Sequence, residues 1–127
     1  MIINMPISLG ELVDKISILL IKEKNIKDEK KLILIVNELR QLKEILNEAV
    51  HDNIIEKYLN QLVDINTKLW KIEDNIRDCE RNKKFGQDFI DLARSVYINN
   101  DKRSEIKFEI NTKFNSKIIE IKSYKKY

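Results

Sequence analysis

The stretch NIIEKYLNQLVDINTKLWKIEDNIRDCERN, residues 53–82, carries apolar side chains at Ile55, Tyr58, Leu62, Ile65, Leu69, Ile72, Ile76 and Cys79. Their spacing alternates 3 and 4 without a fault, which places all of them on one stripe of a long α-helix. Residues 28–50 repeat the alternation at Leu32, Ile35, Leu39, Leu42, Leu46 and Ala49. Two such runs, joined by the short polar His51-Asp52-Asn53, predict an antiparallel hairpin with coiled-coil packing. Asn53 followed by Glu56 adds a capping signal at the joint.

Upstream, Ser8 with Glu11 three residues later opens a helix that runs to about Lys24. Leu9, Leu12, Val13, Ile16, Leu19 and Leu20 form one stripe, while Ile18 and Ile21 fall off it. A helix apolar over so much of its circumference needs contacts on two sides, so it is either central in the bundle or part of a subunit interface. Downstream, Arg81 to Gly86 closes the long helix, with Gly86 available for a left-handed turn. A short helix over 87–97 follows, with Phe89, Leu92, Ala93 and Val96 inward. Asn99-Asn100-Asp101 is expected to break it and cap a further helix carrying Ile106, Ile110 and Phe114. The segment 118–124 reads either as another helical turn or as a short strand pairing with residues 1–7.

The composition fits this reading. Two glycines and one proline in 127 residues leave too few turn formers for a sandwich, a barrel or a multi-strand sheet. Charged residues at 35% beside hydrophobic ones at 43% describe amphipathic helices. The expected fold is therefore all-α, one helical domain over residues 1–127: the hairpin, with the first helix and two shorter ones packed on it. Gly10 and Gly86 stand too far apart for a G-x-G-x-x-G or Walker loop. Residues 102–127 hold eight Lys/Arg against three Asp/Glu, so the net charge of +3 resides in the last fifth of the chain. The single Cys79 allows no internal disulfide, and its stripe position makes it a small buried hydrophobe. Met1 to Met5 lacks a basic leader, and the longest apolar run, Ile16 to Ile21, falls far short of the ~20 residues of a membrane span. A cytoplasmic protein without membrane contact is the expectation.

In three places the residues resemble a family of small bacterial proteins of unknown function. The first is Pro6-Ile7-Ser8-Leu9-Gly10-Glu11-Leu12-Val13-Asp14-Lys15-Ile16 and the second Leu69-Trp70-Lys71-Ile72-Glu73-Asp74-Asn75-Ile76-Arg77. The third runs from Leu92-Ala93-Arg94-Ser95-Val96-Tyr97 through Asn100-Asp101-Lys102-Arg103, Ile106-Lys107 and Ile110-Asn111, with an ending like Lys122-Ser123-Tyr124. The final Lys125-Lys126-Tyr127 runs past that ending. The resemblance brings no established activity or catalytic residue. It implies a setting among genes for surface-polysaccharide synthesis.

The strongest candidate site lies in the third block. Arg94 and Tyr97 share a helix face, and Arg103, Lys107 and Asn111 recur at i+4 on another. With Asn100 and Asp101 between them, these groups are placed to converge on one anionic ligand, guanidinium and ammonium supplying charge. The plainer alternative is a solvated face salted by Asp101 and Glu105. A secondary polar cluster comprises Asp14, Lys15, Glu73, Asp74 and Arg77. It is either a meeting of carboxylates around hydrated Mg²⁺ or, more simply, a register-fixing set in which Asp14 and Lys15 pair with Arg77 or Glu73. Trp70 flanks the seam and packs on the first helix or on a second subunit.

His51 is the only histidine, so Glu48-x-x-His51 cannot form a two-motif di-iron site. The same scarcity leaves too few Cys and His for a zinc site, and with His51 read as a connector residue no Ser-His-Asp or Cys-His nucleophilic machinery is expected. No metal or cofactor is expected. The basic tail lacks a reading helix and gives no sequence-specific mode of nucleic-acid binding.

The expected function is that of a small helical accessory protein, a homodimer, that binds an anionic small molecule such as a sugar phosphate or nucleotide sugar, or a partner's acidic surface, in a basic Tyr/Asn-lined cleft. The alternative is a small helical enzyme working by electrostatic stabilisation in an Arg/Lys-lined pocket. That alternative requires Arg94, Arg103 or Lys107 to be partly buried in a closed pocket.

Overall fold

The computed structural model describes residues 1–127 and is all-helical, with four helices and no strand: α1 (Leu9–Asn25), α2 (Glu29–Ala49), α3 (Ile54–Arg81) and α4 (Gln87–Lys113). No helix is long and apolar enough to cross a membrane. Ser8 caps α1, its hydroxyl accepting from the Glu11 amide at 3.1 Å, and Asp28 caps α2 through the Lys31 amide at 3.1 Å. At the start of α3 the expected Asn53 cap is not made: Asn53 is itself helical in φ and ψ, and the Asp52 carboxylate accepts from the Ile54 amide at 3.0 Å. The left-handed residue after α3 is Lys83, at φ 53°, rather than Gly86. The Lys84 amide closes the turn on the Cys79 carbonyl at 2.9 Å. Gly86 instead precedes the first turn of α4 in extended backbone.

Two expectations about helices are corrected. The chain forms four helices, not five, because α4 runs through Asn99-Asn100-Asp101 unbroken. The amides of this segment find partners along the helix instead of ending it: Asn99 donates to the Ser95 carbonyl at 2.7 Å, and Asn100 accepts a long 3.4 Å contact from Arg103. The hairpin of the second and third helices is not the packing unit either. The backbone of α1 runs close to α2, α3 and α4, and that of α3 close to α4, while α2 lies close to α1 alone and joins α3 and α4 only in the shared core. The breadth of apolar surface on α1 explains this, since one side takes α2 and the other α3 and α4. Of the two placements expected for the first helix, it takes the central one.

The core joins Val13 and Ile16 of α1, Ile35, Leu39 and Leu46 of α2, Ile55, Leu59 and Leu62 of α3, and Ile110 of α4. Tyr58 sets its ring edge-on to Phe114, 6.3 Å between centroids, which ties the start of α3 to the end of α4. No residue of α3 after Asn66, or of α4 before Lys107, is fully buried. There Ile72, Ile76 and Cys79, and Phe89, Leu92 and Val96, are half-buried, as two helices covering each other without a third layer require. Cys79 is accordingly half-buried rather than enclosed. Residues 116–127 form neither helix nor strand and run as a coil.

Candidate functional site

The polar residues of α1 and α4 meet as an antiparallel ladder. Asp14, fully buried, accepts from Arg103 Nε at 2.9 Å on Oδ1 and from Arg103 Nη2 on Oδ2. Asn66 of α3 donates to Asp14 Oδ1 and to the Ser17 hydroxyl, both at 2.8 Å, and Ser17 donates to the Asp14 carbonyl at 2.6 Å. This bidentate pair holds the Arg103 guanidinium above its ordinary range. One turn along α4, the Lys107 ammonium is 2.9 Å from Glu11 and 2.8 Å from Glu120 of the coil. Burial alone would lower Lys107, but hydrogen bonds to Glu120 and Glu11 outweigh it, and the net direction is up. One turn further, Asn111 Oδ1 accepts from the Gly10 amide at 2.7 Å, while its Nδ2 is buried without a partner.

The ladder also seals the N-terminus of α1, where backbone donors have no partner within the helix. Leu9 donates to the Ser116 hydroxyl at 3.1 Å, Gly10 to Asn111, and Glu11 to Ser8. Side chains from the far end of the chain thereby serve as tertiary caps.

Three openings flank the ladder, one of them a pocket of about 490 Å³ beside Asn111 and Glu120, with Glu105, Phe108 and Lys122 around it. A groove of about 460 Å³ lies between α1, α3 and α4, with Ile18, Ile21 and Trp70 on its apolar side and Asn66, Glu73, Asp74, Arg77, Asn100 and Arg103 on its polar side. Its charges are mixed, and Arg77 stands 3.9 Å from Glu73. A larger cleft of about 830 Å³ lies between α4 and the C-terminal coil. Tyr97, Tyr124 and Tyr127 line it together with Lys102, Lys122, Lys125 and Lys126, against Asp101 and Glu105. Tyr97 and Tyr127 meet edge to face, 5.3 Å between centroids. The neighbouring Asp101 carboxylate holds the Tyr127 hydroxyl above its ordinary value.

The Glu120 anchor makes the cleft wall acid-sensitive. Hydrogen bonds from Lys107 and Lys122 hold its carboxyl down from near 4.5 to about 2. A carboxyl depressed in the folded state contributes stability that is present above its unfolded value and is lost as pH falls through its folded value. Amide resonances of residues 118–124 are therefore expected to shift between pH 4.5 and about 2 as the coil releases. A coil unmoved over that range would show that Glu120 does not anchor it.

The residues expected to converge on one anion are divided by the fold. Arg103 and Lys107 are matched by carboxylates, and Asn111 caps α1. Tyr97 and Asp101 line the cleft, Asn100 lines the groove and the cleft alike, and Arg94 is exposed one turn before Tyr97. Of the secondary cluster, Glu73, Asp74 and Arg77 edge the groove and Asp14 lies beneath it. Asp14 pairs with Arg103 rather than with Arg77, and Lys15 points elsewhere, 3.9 Å from Glu38 of α2. No group of three or more His, Cys, Asp and Glu side chains is placed to hold a metal.

Sequence reasoning missed Asn66, Ser17, Ser116 and Glu120. Asn66 had a signal, being a polar residue one turn beyond Leu62 on a buried face of α3. The coil residues had none, since nothing local says which helix a coil crosses.

Fold and site together define a small four-helix protein, clamped by a buried carboxylate–guanidinium pair and flanked by an aromatic, lysine-rich cleft. The chain belongs to the Family of unknown function (DUF6165), whose profile matches residues 3–127 and so includes the last three residues. No curated protein and no solved structure matches it.

Proposed function

We propose that this protein binds an anionic small molecule carrying a ring system, of the class of nucleotide sugars or sugar phosphates, in the cleft between α4 and the C-terminal coil. The observation that carries the reading is the gathering of four lysines and three tyrosines around one opening of about 830 Å³. Ammonium groups supply charge to a phosphate, and exposed tyrosine rings supply flat apolar faces with a polar tip. The reading moves the anion from Arg103 and Lys107, whose charges are spent, to Lys102, Lys122, Lys125 and Lys126. Tyr97, Asn100 and Asp101 remain in it. An enzymatic role for Arg103 or Lys107 is less well supported, because the half-buried Arg103 and the buried Lys107 are both neutralised, by Asp14, Glu11 and Glu120. They hold helices together, and binding rather than catalysis is the reading.

Thermal denaturation with a nucleoside diphosphate sugar, a sugar phosphate and inorganic phosphate tests it. A ligand at 100 times its dissociation constant adds about 2.7 kcal/mol. The stabilisation is expected to disappear in Tyr97→Ala combined with Lys125→Ala and to persist in Arg77→Ala. Loss in Arg77→Ala alone would move the site to the groove, and no stabilisation by any of the three would refute the reading.

A further inference from the structure

The helix α2 carries a second stripe that the fold leaves uncovered. Its inward stripe of Ile35, Leu39 and Leu46 packs in the core, and its backbone runs close to that of α1 alone. On another side Lys31, Leu34, Glu38, Gln41, Ile45 and Glu48 follow one another at spacings of 3, 4, 3, 4 and 3, and all six are exposed, with Glu38 alone within reach of α1, 3.9 Å from Lys15. Leu34 is 71% and Ile45 50% exposed. Its two apolar residues, Leu34 and Ile45, each stand three positions in from a charged end, Lys31 and Glu48, so the stripe reads the same from either end with its charges reversed.

The charges identify the second partner. The cationic end of the stripe, Lys31, stands in the first turn beside Glu29, and the anionic end, Glu48, stands in a last turn that has no basic residue. Both ends oppose the dipole of their own helix, so an isolated α2 gains nothing from them. An antiparallel second α2 reverses that. In this register Lys31 meets Glu48 of the other copy, Leu34 meets Ile45, and Glu38 accepts from the Gln41 amide, each contact made twice about a twofold axis. A parallel register would oppose Lys31 to Lys31 and Glu48 to Glu48. The stripe is self-complementary in one direction only, the signature of an isologous interface.

We infer that this face of α2 is a twofold interface between two copies of this chain, paired antiparallel through Leu34 and Ile45 with Lys31–Glu48 contacts at both ends. The inference is independent of the ligand reading, since no residue of the stripe lines the cleft or the groove.

Sedimentation equilibrium of the full chain, with circular dichroism to confirm unchanged helix content, tests it. The unaltered chain is expected to be a dimer. Lys31→Glu and Glu48→Lys are each expected to weaken self-association roughly tenfold or more, because each opposes like charges at both ends. An equimolar mixture of the two variants is expected to dimerise again, because every reversed position then meets its opposite. A monomeric unaltered chain at all concentrations would overturn the inference and leave the face to a different protein. A dimer indifferent to both reversals, or a mixture that stays monomeric, would overturn it equally.

Discussion

Replacing Asp14 by alanine is expected to destabilise the protein by about 3 kcal/mol, the low end of what removing one partner of a buried ion pair costs. The carboxylate is fully buried and takes both arms of the Arg103 fork and one hydrogen bond from Asn66. Without it the guanidinium, mostly covered by α1 and α3, keeps only the 3.4 Å contact to Asn100. The loss comes less from the missing attraction than from a charge left in poor solvent. A drop in melting temperature of about 10 °C follows at several degrees per kcal/mol for a chain of this size.

Two companion variants separate this account from a general intolerance at position 14. Arg103→Lys should fail to preserve stability, because an ammonium cannot reproduce the two-armed contact. Asp14→Leu combined with Arg103→Met should recover much of the loss, since a well-packed apolar pair often equals a buried ionic one. An Asp14→Ala variant within about 0.5 kcal/mol of the parent, the range of ordinary surface substitutions, would show that the pair does not clamp the helices.

The clamp also shows which parts of the structure were legible in the chain. The stripes of α2 and α3 could be read because period is a local property, fixed by residues three and four apart. Their partners could not, because a 3,4 stripe fits any neighbour of similar stripe. What decided the packing was α1, whose excess apolar surface at Ile18 and Ile21 made it the middle helix. Asn99-Asn100-Asp101 was misread for a related reason. Short polar side chains compete for backbone partners, and whether they end a helix depends on what the next turn offers. Here it offers Ser95 behind and Arg103 ahead.

The site was legible as residues and illegible as pairs. Glu11 and Asp14 lie one turn apart on α1, and Arg103 and Lys107 one turn apart on α4. Their opposite charges, run antiparallel, are the ladder. Asp14 and Arg103 are nonetheless 89 positions apart, and Arg77 offered an equally cationic partner, so no spacing rule selects between them. The cleft needed the coil after α4, whose path is set by Glu120 on Lys107 and Ser116 on Leu9. Those are tertiary bonds with no periodic signature.

At Gly10 the expected result runs against ordinary helix propensity. Gly→Ala within a helix is normally favourable, by about 1 kcal/mol in the interior, yet at Gly10, in the first turn of α1, it should destabilise by about 1–3 kcal/mol, the usual cost of overpacking. A Cβ built on Gly10 would stand 2.6 Å from the Lys107 carbonyl oxygen and 3.0 Å from Asn111 Oδ1. The first of these atoms is backbone in the middle of α4 and has no rotamer to move to, so α1 and α4 must separate. Separation lengthens the Gly10–Asn111 hydrogen bond and draws Glu11 and Asp14 away from Lys107 and Arg103, so one methyl group disturbs every rung of the ladder. Gly86→Ala is the comparison in open space: nothing lies within 4 Å of its Cβ, and with Gly86 at the N-cap of α4 its cost is confined to the weaker capping preference of alanine, about 1 kcal/mol or less. Denaturant midpoints for the two variants at constant slope measure the difference directly. A stabilised Gly10→Ala would mean that α1 and α4 do not approach as closely as the ladder requires, and the Asp14–Arg103 pair would then have to reach across a wider and wetter gap.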